Sequence, residues 1–490
     1  MPAIRTLVLT LVSASVLTGC SWVDQGRSLL GGDPQGKPVA FTDSSGKAAV
    51  VLHYGDRDKL TQLVSAGLDL WSVDNEARLA DAAITPAQED LARRLGMRIT
   101  QLPDKRLMNR FDAGYHTYEQ AASVLKSLAQ QRPDLASVVD LGDSWEKTQK
   151  RADRDILALK VGKGTGKPVL VFAACHHPRE LVTPEMVLRM AQLLIGQYGQ
   201  DPEITAWVDS REIWLVPMVN PDGHALASKG QNQRKNTNDV SGGKRRVGVD
   251  LNRNYATAWG TIGDSPQPES DTFRGTGPFS EPETQAMRDL MTAKKPVFLL
   301  TFHSYSNMVL WPWDHKSAPA PDPRLAAVGK EFGKLSGYKA QQGSELYLNG
   351  GDDVDWAFDT LGTLAYTVEI GSRSDGFDPP FSRVERFWGE NRPMMLYALS
   401  VADRPGRVFG PALSDPVVSG ATVRVQAEVP LRRAEAFVGT PGAPGTGMPL
   451  ATSGMTAQAS LTLPESRQLL WVHAQGENGE WGPWEVTWSR

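Results

Sequence analysis

The chain has 490 residues, room for about three domains at roughly 150 residues each, so a single small fold is excluded. Apolar residues make up 40% and charged residues 22%, the balance of a chain that folds in water and not that of a disordered segment or a membrane bundle. With 52 Lys plus Arg against 56 Asp plus Glu, the formal charge of −4 offers no broad basic face for nucleic acid.

In chain order, Arg5 precedes an apolar run from Leu7 to Leu17 that is too short to span a bilayer and ends in Leu17-Thr18-Gly19-Cys20. This resembles a bacterial lipoprotein signal. The resemblance implies removal of residues 1–19 and acylation of Cys20, an anchor that holds stably because several acyl chains act together. Ser21 stands where inner-membrane retention typically uses aspartate. The expected location is therefore the cell envelope, lipid-anchored, with the outer membrane favoured if the cell has one, facing the periplasm or the exterior. An ordinary secretory signal with an incidental cysteine is the alternative. The second cysteine, Cys175, then has no intrachain partner, and two cysteines make no disulfide framework.

Residues 20–37 are Gly-rich and polar, a flexible tether. In 38–102, strand-like runs at Ala48 to Tyr54, Leu70 to Val73, Leu79 to Ile84 and Met97 to Leu102 alternate with helical runs at Asp56 to Ala66 and from Thr85-Pro86 to Leu95. The order β-α-β-β-α-β is the split βαβ, ferredoxin-like one. The linker 103–112 carries Lys105, Arg106 and Arg110, and reads as a plain connector or a protease-sensitive hinge. Between 113 and 403, helices alternate with short apolar strands such as Val169 to Ala174, Ile213 to Val219, Val297 to Phe302 and Leu364 to Val368. Strands apolar on both faces are buried between helices, so an α/β domain with a mixed, mainly parallel sheet is expected. Thr183-Pro184 reads as a helix start and Ser280-x-x-Glu283 as a capping box. The Gly-rich stretch Val161 to Pro168 fails the phosphate-loop pattern and reads as a hairpin loop. From 404 to 490, Val423, Val425, Ala427 and Val429 alternate with polar neighbours, and Gly/Pro-rich turns follow. These features predict an all-β sandwich of immunoglobulin or fibronectin type III kind, with the terminal tryptophans packing its core.

His177 and Glu180 form an H-x-x-E pair just after the strand ending at Ala174, and a second strand ends at His303. Two imidazoles and a carboxylate are a three-ligand set with one coordination position open, as in a catalytic zinc site. By itself H-x-x-E is a weak signal. The neighbouring Cys175 and His176 read as a buried apolar thiol and a redundant imidazole.

Taken with Gln233-Arg234-Lys235-Asn236, Gly248-Val249-Asp250-Leu251-Asn252-Arg253-Asn254, Tyr347, Asp355-Trp356 and Glu369, the region 113–403 resembles the zinc carboxypeptidases of the carboxypeptidase A/T class. The resemblance implies one zinc per chain held by His177, Glu180 and His303, with Asp250 orienting His177. It implies that Asn252 and Arg253 grip the free carboxylate of a peptide C-terminus. Arg234 would stabilise the oxyanion, Glu369 would be the general base, and Tyr347 would close over the terminal residue. Arg179 would add a cation to the channel. Val354 would floor the side-chain pocket, and Asp352 would meet Lys or Arg, for a mixed preference, or else be a plain loop acid. The module 38–102 resembles the pro-segments of digestive relatives, which cover the cleft until cleaved; a permanent structural module is the alternative. The expected function is release of C-terminal amino acids from peptides and proteins by a monomer. A cell-wall peptide carboxypeptidase of the same fold and a non-catalytic peptide-binding lipoprotein are the alternatives.

Overall fold

The computed structural model describes residues 39–41, 46–102, 110–239 and 248–490. The expected signal, Cys20 with its acylation, the tether, and Lys105 and Arg106 of the linker lie outside the described residues.

The first unit runs β1 (Ala48–His53), α1 (Arg57–Ser65), β2 (Asp69–Asp74), β3 (Leu79–Ile84), α2 (Pro86–Arg94), β4 (Arg98–Gln101). Its helix starts are written locally. The Asp56 carboxylate accepts from Asp58 N, and Thr85 with Gln88 forms a capping box ahead of Pro86. The strands pair antiparallel in the order β2-β3-β1-β4, the ferredoxin-like arrangement. β2 is therefore an edge strand, and a register shift between Leu70 and Ser72 re-aims Trp71. Its ring stands edge-on to Phe377 of the second unit, 6.0 Å between centroids.

The second unit comprises α3 (Tyr118–Gln131), β5 (Ala136–Asp143), β6 (Asp155–Val161), β7 (Val169–Ala174), α4 (Thr183–Gln197), α5 (Pro202–Ser210), β8 (Glu212–Val216) and α6 (Pro221–Ala227). It continues with α7 (Pro282–Lys294), β9 (Phe298–His303), β10 (Met308–Trp311), α8 (Pro323–Ser336), β11 (Lys339–Gln342), α9 (Asp353–Leu361), β12 (Leu364–Glu369) and α10 (Val384–Val401). The strands form one mixed sheet, β11-β10-β12-β9-β7-β8-β6-β5, whose centre β12-β9-β7-β8 is parallel. The pleat splits β7 between two cores. Leu170, Phe172 and Ala174 pack with α4 and α10, while Val169, Val171 and Ala173 pack with α7 and α9. The α/β class expected from the doubly apolar strands is thus realised.

Three local expectations are corrected. The Gly-rich loop is no hairpin, because β8 lies between β6 and β7. Thr183 does not cap α4; it sits in the first turn and its hydroxyl donates to Glu180 O at 2.9 Å. Ser280 and Glu283 form no capping box, since Glu283 accepts instead from Trp145 N and the Asn236 amide.

The third unit is all-β: β13 (Val417–Ser419), β14 (Thr422–Gln426), β15 (Leu431–Val438), β16 (Met448–Ser453), β17 (Thr456–Ser460), β18 (Leu469–Gly476) and β19 (Glu485–Trp488). Its two halves share β16, which pairs with β15 through Leu450 and with β17 through Ala451–Ser453, and curl round one core. The inward alternation holds for Val423, Val425 and Ala427 but ends with the strand, leaving Val429 exposed. Of the tryptophans, Trp484 packs on Trp471, which meets Trp207 of α5 at 5.5 Å, and Trp488 Nε1 donates to Gln200 O. They therefore seal the joint with the second unit as well as the core. Among the described residues no helix is long and apolar enough to cross a membrane.

Candidate metal centre and peptide cleft

The parallel strands β7, β9 and β12 end side by side, and in register His303 lies opposite Glu369. Ligands gather beyond such strand ends because helix-backed loops converge there. After β7 the chain turns through Cys175, which adopts a left-handed backbone (φ 64). His177 and Glu180 then close a turn, Glu180 N donating to His177 O at 3.2 Å, so that both side chains reach one side. This loop presses on Gly223, where a Cβ would lie 2.3 Å from Pro178.

The donor atoms meet. His177 Nδ1 lies 2.9 Å from Glu180 Oε1 and 3.2 Å from His303 Nδ1, and His303 Nδ1 lies 3.2 Å from Glu180 Oε2. All three groups are buried, and among the described residues they are the one cluster of three such donors close enough to share a cation. The other nitrogen of His177 contacts Asp250 Oδ1 at 3.0 Å, which sets that nitrogen as the N–H and turns the Nδ1 lone pair inward. Glu180 is steadied by Ser304 N at 3.1 Å. Burial alone would lower the pKa of His303, yet Glu180 and Glu369 push it up to about 9. A positive charge between these groups is what the field favours. Two imidazoles and one carboxylate, with no fourth donor in the cluster among the described residues, fit zinc in an open site.

Glu369 lines the same cleft at the end of β12. Burial pushes its carboxyl up to about 7, with His303 pulling down, Glu180 pushing up and Arg234 pulling down. Arg234 binds Asp250 Oδ2 through Nε and Nη2, at 3.0 and 2.7 Å. Asn252 Oδ1 accepts from Asp353 N, which leaves its amide N–H groups as donors. Arg253 is held by three neutral oxygens: Gly263 O, Asn252 O and the Tyr347 hydroxyl, at 3.1, 2.6 and 3.2 Å. Its charge is left for a carboxylate.

Three sequence-based assignments differ in detail. Arg179 lines the cleft, but both its amino groups bind the Asp69 carboxylate of β2, at 2.7 and 2.6 Å, so its charge is already matched. Val354 packs into the core under the sheet and Asp352 Oδ1 accepts from Asp355 N to cap α9; neither lines the cleft. Cys175 and His176 are buried, the thiol pushed up by burial and the imidazole bonded to the Tyr255 hydroxyl at 2.9 Å and held well below its usual range by burial. Two contributors escape sequence reasoning: β2 of the first unit, and Asp314 beyond β10. No spacing links either to the ligand motifs.

β2 lies across the cleft. Leu70, Trp71, Ser72 and Val73 line it opposite His177 and Glu369, and the space left is about 60 Å³. Ligand pockets are several times larger. The first unit is also fastened by ion pairs of Lys47 with Asp271 and of Arg373 with Asp81.

The profile of the family described as zinc carboxypeptidase matches residues 121–394. Carboxypeptidase A1 of Rattus norvegicus is 32% identical over 283 residues, 56% of this chain and 66% of that protein. Carboxypeptidase A2 of Rattus norvegicus is 31% identical over 318 residues, 63% of this chain and 74% of that one. The matched stretch thus leaves a quarter to a third of these relatives' own length uncovered. Among solved structures, carboxypeptidase A from Helicoverpa armigera superposes with a TM-score of 0.62 at 23% identity, covering 73% of this chain and 98% of that one, a likeness of fold.

Proposed function

The chain belongs to the zinc carboxypeptidase family, and from that premise we propose that it hydrolyses the C-terminal peptide bond of peptides and proteins as a zinc-dependent exopeptidase. One observation carries the reading. His177, Glu180 and His303 converge in the cleft that also holds Glu369 and the guanidinium of Arg253, which among the described residues bonds only neutral oxygens.

In this account Arg253 and the Asn252 amide take the terminal carboxylate of the peptide, a bidentate pairing that measures distance from the chain end. Tyr347, bonded to Arg253, shifts to close over the terminal residue. When bound, zinc supplies Lewis acidity to water and to the scissile carbonyl. Glu369 takes the proton from the attacking water and later delivers it to the leaving amine; a base near pKa 7 is matched to both transfers. Arg234 keeps Nη1 for the carbonyl oxygen as charge develops there, while Asp250 holds its other edge. The Arg253 grip favours a true exopeptidase over a cell-wall peptide enzyme of the same fold. The presence of all three ligands and the base speaks against a mere binding scaffold. The reading includes one zinc per chain, a monomer, and anchorage in the cell envelope through Cys20.

The first unit acts as a cover in this account. With β2 filling the cleft, a peptide enters only after the unit withdraws, and cleavage in the 103–112 linker is the means of its release. Incubating the purified full chain with a blocked dipeptide, before and after cleavage and with and without a chelator, tests the reading. Chelator-sensitive release of the terminal residue is expected; no release in any state contradicts it.

A further inference from the structure

We propose that Thr301 and His176 are positioning residues for the metal centre, a buried relay that holds the His303 ring with Nδ1 turned toward the cation; this rests on the reading of His303 as a zinc ligand. The other two ligands have direct supports: His177 is held by Asp250, and Glu180 by Ser304 N. For His303 the support runs through two further side chains. Its Nδ1 faces Glu180 and His177, so Nε2 points the other way, to Thr301 Oγ1 at 3.4 Å.

The strands place these groups. Thr301 and His303 are two residues apart on β9 and so share a face of the sheet. On the neighbouring strand the chain runs past Ala174 through the left-handed Cys175, and successive side chains then part: His177 enters the cleft while His176 lies behind its wall. Asn220 pins this step, its N donating to Cys175 O and its Nδ2 to His176 O, both at 3.1 Å. The His176 ring lies nearly parallel to that of His303, 5.7 Å between centroids at 21°. Its Nδ1 is 3.4 Å from Thr301 Oγ1. Its Nε2 is 2.9 Å from the Tyr255 hydroxyl and 3.6 Å from Asp353 Oδ2. His176, Thr301, Tyr255 and Asp353 are all buried and none lines the cleft. None of them can touch a substrate, so whatever they do for the reaction they do through His303.

The proton order along this line is dictated from the metal end. A ligand imidazole offers its lone pair at Nδ1 and keeps its proton at Nε2. Thr301 Oγ1 accepts from that N–H and, having a single hydrogen of its own, donates to His176 Nδ1. His176 is left with its N–H at Nε2, facing the oxygens of Tyr255 and Asp353. A hydroxyl that accepts on one side and donates on the other is what the middle position requires. An apolar side chain at 301 or 176 would leave a buried imidazole nitrogen without a partner, and a ligand ring no longer held in line binds its metal less tightly.

The test measures the zinc dissociation constant of the full chain by competition with a fluorescent chelator. Thr301→Val keeps the shape and removes the hydroxyl, and should weaken zinc binding by about 10- to 100-fold, the range for losing a partner that orients a metal-bound histidine. Thr301→Ser restores the hydroxyl and should bind as the wild type does. His176→Phe keeps a stacked ring without nitrogens and should weaken binding like Thr301→Val, while His176→Asn, which puts an amide oxygen near the place of Nδ1, should recover most of the loss. In nitrogen-15 NMR of the zinc-loaded chain, the His303 Nε2 proton should resonate downfield in the wild type and Thr301→Ser and move upfield in Thr301→Val. The denaturant midpoint of the zinc-free protein reads packing separately. Variants that lower that midpoint but leave zinc affinity and the His303 resonance unchanged overturn the proposal, as does a loss that Thr301→Ser shares equally with Thr301→Val. Weakening by Thr301→Val with none by His176→Phe overturns the part given to His176. A wild-type chain that binds no zinc would remove the metal-centre reading along with the relay, whereas tight wild-type binding that no variant alters removes the relay alone.

Discussion

The sharpest consequence concerns the cover over the cleft, and Asp69→Asn isolates it. The Asp69 and Arg179 side chains are 5% and 1% exposed and joined by two short bonds, so the pair is fully withdrawn from water. Burial alone would raise the Asp69 carboxyl, but Arg179, with Lys47 and Arg234 further off, holds it well below the usual carboxylate range. Removing one charge leaves Arg179 buried and uncompensated, a loss of ~3–5 kcal/mol. At 1.4 kcal/mol per decade that shifts the docking equilibrium by about two to three and a half powers of ten. The Lys47–Asp271 and Arg373–Asp81 pairs remain, so the first unit loosens without departing. In uncleaved protein, peptide release should rise toward the cleaved level, and the amides of β2 should exchange hydrogen faster. The pH dependence follows from the sign of the shift. A depressed folded-state pKa contributes stability that is present in full above the ordinary carboxylate pKa of about 4 and is lost as pH falls through the lower folded value. Acid should therefore loosen the wild-type cover by more than it loosens that of Asp69→Asn, whose hold rests on the remaining Lys47–Asp271 and Arg373–Asp81 carboxylates alone. A variant whose release rate and β2 exchange both match wild type would refute the latch.

Glu369→Gln keeps the shape of the site but cannot accept a proton, and should lower kcat by about 10²–10⁴-fold with little change in the binding of a terminal carboxylate; an active variant removes the base assignment. The ascending limb of kcat/KM should fall at or below pH 7, because Glu369 must be ionised and a bound cation can only pull its value down from about 7; a limb above pH 8 contradicts this. His303→Ala should reduce zinc content measured by atomic absorption, and retention of one tightly held zinc would exclude His303 as a ligand. Trp207→Ala deletes a fully buried ring that meets Trp471. It should cost ~3–5 kcal/mol, read as a lower denaturant midpoint, and an unchanged midpoint would mean the third unit is not docked through it.

Much of this site is legible in one dimension because its residues sit at strand ends and tight turns. The H-x-x-E loop follows a strand buried on both faces, and Glu369 closes another, so apolar runs alone place both at one edge of the sheet. The helix starts were less legible: Thr183 and Glu283 carry capping chemistry but spend it on Glu180 O and on Trp145 N, contacts made by the fold and not by the next turn. Arg179 reads as a cation for the channel, and only the packing of two units reveals Asp69 beside it, 110 residues earlier. Asp352 and Asp314 show the same limit. Both are acids near the cleft in sequence or space and each keeps one buried oxygen without a partner, yet only the folded chain shows that the first caps α9 away from the cleft while the second lines it.

The central claim is that side chains distant in the chain gather round one cation. An anomalous difference map collected at the zinc edge from crystals of the protein as purified tests it most directly. The account predicts one strong peak per chain, bounded by His177 Nδ1, His303 Nδ1 and the Glu180 carboxylate, with Glu369 beside it. No peak in the cleft, or a peak ligated elsewhere, would contradict it.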